Sequence, residues 1–254
     1  MLDDMLDILL PGYDGQTITT IIFDFGKTIH NFNLDLFFDW MAKVSGVSRY
    51  HLWDIFSHYP DGLLYRYECG EATQNFIVRV RNTLQKLYVR LYMEGEKVAV
   101  KDFTDAEFIA NWNDIFDTNP VAEDRLRLMR GLKKHGYKLY VLSNINQAQL
   151  EYLKNDTRFN EIFTLVEQFI ASCDIQCRKT RFHADNFGNN WQECCAVFHK
   201  SLDITESRFQ DTIYIDDILD YVEVFRRLGG HGIHHTGPWT KVEAELYKLG
   251  VRWE

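Results

Sequence analysis

Three stretches of the chain are short, apolar and rich in β-branched residues, and each gives way abruptly to polar ones. Thr19-Thr20-Ile21-Ile22-Phe23 runs into Asp24-Phe25-Gly26-Lys27-Thr28, Lys138-Leu139-Tyr140-Val141-Leu142 into Ser143-Asn144, and Thr212-Ile213-Tyr214-Ile215 into Asp216-Asp217. Apolar runs of this length without alternation fit strands buried on both faces. Phe169 to Ser172 and Gly232 to His235 offer two more. Between them the period changes. Arg125 to His135 carries Leu126, Met129 and Leu132 before Gly136, and Tyr221 to Leu228 carries Val222, Phe225 and Leu228 before Gly229. That is helical spacing ended by glycine. Strands alternating with helices predict an α/β fold with a parallel, doubly wound sheet. Ligands bind such sheets beyond the carboxyl ends of the strands, so the three polar strand ends are the natural walls of a site.

About a hundred residues separate the first two strands, too many for a simple crossover and enough for a small domain. Leu34, Phe37, Phe38 and Met41 recur at helical spacing before Gly46. Thr104-x-x-Glu107 has the form of a capping box, and it opens a helix with Phe108, Trp112, Ile115 and Phe116 on one face. The pattern predicts an α-helical domain over 33–120, inserted into a core formed by 1–32 and 121–254. The aromatic stripes read as packing, because helical apolar spacing mostly serves a core.

Composition narrows the classes. Of 254 residues, 46% are hydrophobic and 26% charged, ordinary globular proportions that exclude disordered, collagen-like and membrane classes. A formal net charge of −9 repels polyanions, so nucleic acid is not expected as a partner. Met1 to Pro11 has an apolar run, but it holds Asp3, Asp4 and Asp7 and no basic residue. It fits neither a secretory signal nor a spanning helix, so no membrane association is expected and the cytoplasm is the expected location. The five cysteines suggest no disulfide framework, and Cys173, Cys177, Cys194 and Cys195 lack the paired Cys-x-x-Cys spacing of a zinc site. Nothing in the chain bears on its oligomeric state.

The strand ends carry chemistry when taken together. A carboxylate such as Asp24 can attack phosphorus and divide one hard displacement into two easier ones. Magnesium held by carboxylates, backbone oxygen and phosphate lets two anions approach. Ser143 and Asn144 can hydrogen-bond phosphate oxygens, and a lysine supplies a compact positive charge. Singly, these residue types also serve as caps, turn formers and solvated pairs. Their order along the strand-loop pattern is what points to phosphoryl transfer.

Four segments resemble the motifs of the haloacid dehalogenase superfamily. Ile-Ile-Phe-Asp-Phe-Gly-Lys-Thr is similar to its first motif, Tyr-Val-Leu-Ser-Asn to its second, Arg178-Lys179 to its third and Tyr-Ile-Asp-Asp to its fourth. Tyr65-Arg66-Tyr67-Glu68-Cys69-Gly70-Glu71 and Trp112-Asn113-Asp114-Ile115-Phe116 resemble cap segments of the subgroup that includes bacterial α-glucose-1-phosphate phosphatases. The resemblance implies a helical cap over a Rossmann-like core and hydrolysis of a small-molecule, sugar-type phosphate monoester through an aspartyl phosphate. It implies Asp24 as nucleophile and metal ligand, Mg2+ as cofactor, and the backbone carbonyl of Gly26 also on the metal. Asp217 would stand nearer the metal than Asp216. Ser143, Asn144 and Lys179 would hold the phosphate, with Lys179 acting in catalysis.

Three positions depart from that pattern. Gly26 stands where most family phosphatases have a second Asp as acid and base, which speaks against a mutase. Thr180 follows Lys179 in place of a frequent Pro, and a polar stretch from Thr180 to Gln192 looks inserted. Tyr221 stands where an Asn commonly follows the acidic pair. His30 is a candidate for the missing acid, and His231, His234 and His235 cluster without a ligand-like spacing. Two other functions compete. Carbon–halogen hydrolysis uses the same nucleophile, but an acidic pair repels a haloacid unless a cation offsets it. A non-catalytic phospho-ligand binding protein would explain Gly26 and Tyr221.

Overall fold

The computed structural model describes residues 17–57, 62–95, 102–116, 118–181 and 190–254. Five strands, β1 (Thr20–Phe23), β2 (Lys138–Ser143), β3 (Gln168–Ala171), β4 (Thr212–Asp216) and β5 (His231–His234), form one sheet in the order β3-β2-β1-β4-β5. Every neighbouring pair is parallel. The expected α/β doubly wound sheet is therefore present. Its winding reverses at β1, between β2 and β4, and the carboxyl ends of these three strands face one crevice.

Both faces are covered, which is why the strands read as unbroken apolar runs. Ile21, Phe23, Leu139, Val141, Ile213 and Ile215 point to one side. There they meet α6 (Glu123–Lys134), α7 (Gln147–Asn155), α8 (Asn160–Leu165) and α12 (Thr240–Lys248). Ile22, Tyr140, Leu142, Ile170 and Tyr214 point to the other, against α10 (Trp191–Thr205) and α11 (Leu219–Arg227). Cys194 and Cys195 belong to this second layer and Cys173 to the first, so the four cysteines near the third strand do not share one cluster.

Several boundaries differ from the sequence pattern for local reasons. The third strand stops at Ala171 rather than Ser172, because the Ser172 hydroxyl accepts from Ile145 N at 2.9 Å and donates to its carbonyl at 3.1 Å. Ser172 instead opens the short α9 (Ser172–Ile175). β5 begins one residue early, at His231. α6 opens two residues early, with Glu123 and Asp124 in its first turn, where carboxylates favour the exposed N–H groups. α11 opens at Leu219, directly after Asp216 accepts from Ile218 N at 2.7 Å.

Between β1 and α6 lie α1 (Leu34–Ser45), α2 (Arg49–Ser57), α3 (Leu63–Glu68), α4 (Thr73–Met93) and α5 (Asp105–Asn113). Asn33 caps α1 by accepting from Asp35 N, and Gly46 ends it at φ 69°. The Thr104–Glu107 capping box is formed at the start of α5. Phe37, Phe108 and Trp112, expected to pack, do so together with Phe56 and Phe76, largely edge to face, with Phe37 and Trp112 centred 4.5 Å apart. This aromatic core is continuous with the first layer under the sheet. The two connections to the insert pair with each other, through a bridge between Phe32 and Phe116 and a bond from Asn33 N to the Ile115 carbonyl of 2.7 Å. The Met1–Pro11 run and most of the Thr180–Gln192 stretch lie outside the described residues, although Trp191 and Gln192 open α10.

Candidate active site

Asp24 follows β1 directly, and its backbone N–H donates to the Ile215 carbonyl of β4 at 2.8 Å. That places its side chain in the crevice beside Asp216, the last residue of β4, and Asp217. Carboxylate oxygens of the three residues lie within 4.8 Å of one another. Lys179, 2% exposed, reaches in from the loop after α9, and its ammonium donates to Asp24 Oδ1 and, at 2.8 Å, to Asp216 Oδ2. Asn144, after β2, fixes this lysine. Its side-chain oxygen accepts from Lys179 N at 2.7 Å and its amide donates to the Lys179 carbonyl at 2.8 Å.

The acidic pair is divided in use. Asp216 is wholly buried and accepts from Lys179, from the Tyr214 hydroxyl and from Ile218 N. Asp217 is only partly buried and lines the cavity with Asp24. Burial pushes the Asp24 carboxyl up, Lys179 pulls it down, and Asp216 and Asp217 push it up again. Burial also works against the Lys179 charge, yet Asp216 and Asp24 hold that ammonium above its ordinary range. Two buried carboxylates on one ammonium, with the half-buried Asp217 beside them, leave negative charge that a low-dielectric site does not tolerate uncompensated. A divalent cation fits that donor set. The chain around Gly26 adds to the fit: its bridge to His30 runs through Lys27 N to the His30 carbonyl and His30 N to the Phe25 carbonyl, so neither bond uses the Gly26 carbonyl.

A cavity of about 270 Å³ opens over these groups. Asp24, Gly26, Lys27, Ser143, Asn144, Lys179, Asp216 and Asp217 line its floor, so every residue expected at the site from the sequence is brought together. The Asn144 side chain, expected at the phosphate, engages the Lys179 backbone through its oxygen and one amide N–H and so positions that lysine. His30, considered as a substitute acid, is buried with its ring edge-on to Phe159 at 4.9 Å and is not part of the cavity lining. His231 bonds the Gln210 carbonyl, His234 the Asp217 carbonyl, and His235 packs on Trp239, so the three imidazoles serve different places. Tyr221 sets its ring 5.4 Å from the Lys179 ammonium, a cation–π contact in place of the amide expected there.

Three contributors escaped the sequence reading. Tyr214 reads in the sequence as a core strand residue, yet its hydroxyl bonds Asp216. Glu68 of α3 pairs with Arg178 at 2.8 Å at the cavity edge, tying the insert to the lysine loop. Burial pushes the Glu68 carboxyl up while Arg178 pulls it back. A carboxylate inside the apolar helix Leu63-Leu64-Tyr65-Arg66-Tyr67-Glu68 was the available signal. Phe32 is the third. A Cβ added to Gly26 would stand 2.4 Å from its ring, so the ring fills the space a side chain at 26 would need. Gly26 is not at positive φ; the residue that is, at 59°, is Lys27.

No family model and no curated protein matches the chain. Solved structures do. A predicted HAD-like family hydrolase from Porphyromonas gingivalis is similar at 16% identity, over 91% of this chain and 98% of its own, with a TM-score of 0.67. A HAD family enzyme from Bacteroides thetaiotaomicron, an aspartate-to-alanine variant in complex with magnesium and inorganic phosphate, matches at 18% identity over 89% and 98%, also at 0.67. A HAD phosphatase from Thermococcus onnurineus matches at 13% over 86% of each chain, at 0.52. The chain therefore shares the fold of HAD-like hydrolases.

Proposed function

We propose that the protein is a magnesium-dependent phosphohydrolase that cleaves a small-molecule phosphate monoester through an aspartyl phosphate on Asp24. The observation that carries this reading is the gathering of Asp24, Asp216 and Asp217 around the buried ammonium of Lys179 at the carboxyl edge of the sheet. Asp24, Asp217 and the Gly26 carbonyl would hold Mg2+, with Asp216 beside them. When bound, the ion neutralises carboxylate and phosphate so that the two anions can meet. Asp24 supplies the attacking oxygen. Lys179 and the Ser143 hydroxyl hold phosphate oxygens, and Asn144 keeps the lysine in place. Water then attacks the aspartyl phosphate and restores the carboxylate.

The Bacteroides enzyme that shares this fold was crystallised with magnesium and phosphate, which supports the same pair of ligands here. Sugar esters are the substrate class that the motif resemblance implies. Helices α1–α5 are proposed as a cap over residues 33–120, with 1–32 and 121–254 as the catalytic core. The paired connections at Phe32 and Phe116 are suited to a hinge that excludes water on closing.

Carbon–halogen hydrolysis is disfavoured by the same acidic pair, which repels an anionic haloacid when no cation is bound. The test is release of phosphate from a panel of monoesters, and of halide from a 2-haloacid, with and without magnesium. Magnesium-dependent phosphate release is the expected result. Halide release without magnesium, or ligand binding with no turnover of any ester, would replace this reading.

A further inference from the structure

The cavity bears on which alcohol the phosphate is attached to, an inference that rests on the phosphohydrolase reading and narrows it. Above the polar floor most of the wall is apolar, from Phe32, Leu34, Leu64, Trp112, Ile115 and Phe116, interrupted by Ser57, Glu68, Gln149, Arg178 and Tyr221. A polyhydroxylated sugar placed against it would give up water at each hydroxyl and find few partners in return. An aromatic ring loses nothing there and meets the faces and edges of Phe32, Trp112 and Phe116.

The leaving oxygen points the same way. An alkoxide departs only with a proton, whereas a phenolate departs without one. Among the described residues of the lining no imidazole occurs, and Phe32 fills the space where a side chain on residue 26 would lie. Glu68 is the only carboxyl that the insert brings to the described lining, and it lies 2.8 Å from the Arg178 guanidinium, turned to that partner. Lys27, Arg178 and Lys179 bring positive charge, which steadies a departing phenolate but makes weak proton donors for an alkoxide.

We infer that the substrate class is an aryl phosphate monoester, its flat apolar ring seated against Phe32, Trp112 and Phe116. The bond from the Asp24 carboxylate to phosphorus forms as the bond from phosphorus to the aryl oxygen breaks. The electron pair leaves on the phenolate, which takes a proton from water. A second water then cleaves the aspartyl phosphate, giving inorganic phosphate and the free carboxylate.

The full chain with magnesium is assayed on 1-naphthyl phosphate, phenyl phosphate, 2-phenylethyl phosphate and glucose 6-phosphate. 1-Naphthyl phosphate is expected to exceed glucose 6-phosphate in kcat/KM by about a hundredfold or more. Its KM should be about tenfold below that of phenyl phosphate, which has a similar leaving group and less apolar area. 2-Phenylethyl phosphate, apolar but with an alkoxide leaving group, should compete with 1-naphthyl phosphate while turning over slowly; this arm separates recognition of the ring from the intrinsic reactivity of aryl esters. Turnover of glucose 6-phosphate within tenfold of 1-naphthyl phosphate would overturn the inference and leave the phosphohydrolase reading standing. So would 2-phenylethyl phosphate binding no better than glucose 6-phosphate. Release of phosphate from none of the four, while another monoester of the wider panel is hydrolysed, would overturn this inference alone; release from no monoester at all would overturn the broader reading.

Discussion

The carboxyl edge of the sheet and the helical insert meet across one cavity and are specified by different physics. At the edge, Asp216 satisfies three donors, Tyr214 and Ile218 beside it in the chain and the remote Lys179, and Lys179 bridges two carboxylates. Each contact is directional, short and buried, so losing one partner strands the others. In the insert, Tyr67 stacks on Phe76 at 3.8 Å and the neighbouring rings meet mostly edge to face. Such packing is set by volume and area and tolerates exchange in steps. The lesson is that the reacting end should respond to single-atom changes almost as a switch, whereas the recognising end should respond by degrees.

Asp24→Asn tests the switch most severely. The amide keeps the shape of the carboxylate but cannot attack phosphorus. Turnover is expected to fall at least about a thousandfold, roughly 4 kcal/mol in the barrier, with circular dichroism unchanged. A folded variant that kept more than a tenth of wild-type turnover would show that some other group is the nucleophile.

Asp216 and Asp217 sharpen the comparison because they are adjacent in sequence and opposite in use. Asp216→Ala leaves the Lys179 ammonium, the Tyr214 hydroxyl and Ile218 N without their acceptor in a wholly buried place. It should cost about 3 kcal/mol of stability in a urea unfolding measurement. Asp217→Ala should leave stability nearly intact and instead raise the magnesium concentration for half-maximal activity, by about tenfold or more. Should Asp216→Ala raise the magnesium requirement more than Asp217→Ala does, the pair has been assigned the wrong way round.

The same division explains how much was legible in the sequence. The sheet was, since β1, β2 and β4 are buried on both faces and each ends in polar residues at the crevice. The Thr104 capping box and the Phe37–Phe38–Met41 stripe were legible too, because both are local and periodic. What escaped depends on remote segments meeting. Nothing near Asn144 in sequence says that its amide will be taken by Lys179, thirty-five positions away. Tyr214 alternates to the far face of β4 like any core residue, and only the position of Asp216 reveals its second use. Phe32 at residue 26 belongs to the same class: the glycine was visible, while the ring that fills its place was not.

Gly26→Asp turns that last point into a graded test between the two regions. The added side chain must push the Phe32 ring aside, an overpacking strain of about 2 kcal/mol. Activity should fall on phenyl phosphate and glucose 6-phosphate alike. Combining it with Phe32→Ala should recover about 1 kcal/mol or more of stability relative to the sum of the single changes, since the two sites share one volume. An increase in glucose 6-phosphate turnover by the single variant would mean that the loop accepts the carboxyl, and that only the absence of an acid, not the ring, limits alkyl esters.

The smallest effect belongs to the insert alone. Thr104 is exposed, far along the chain from the strand ends, and its hydroxyl accepts from Glu107 N at 3.2 Å while Glu107 accepts from Thr104 N at 2.7 Å. Thr104→Ala removes the cap and should lower stability by about 1 kcal/mol. Turnover should be unchanged, because no residue of the cavity floor is touched. The Thr104 backbone N–H and hydroxyl hold the Glu107 carboxyl below its ordinary range. A depressed carboxylate contributes stability that is present above its unfolded value and fades as pH falls through the lowered folded one. The stability gap between wild type and Thr104→Ala should therefore narrow on acidification below the ordinary glutamate range, as urea unfolding at stepped pH would show. A gap that stayed constant through that range would place the contribution in the threonine hydroxyl alone. A change in kcat would mean instead that α5 transmits strain to the cavity through Trp112, and that the insert is less forgiving than its packing implies.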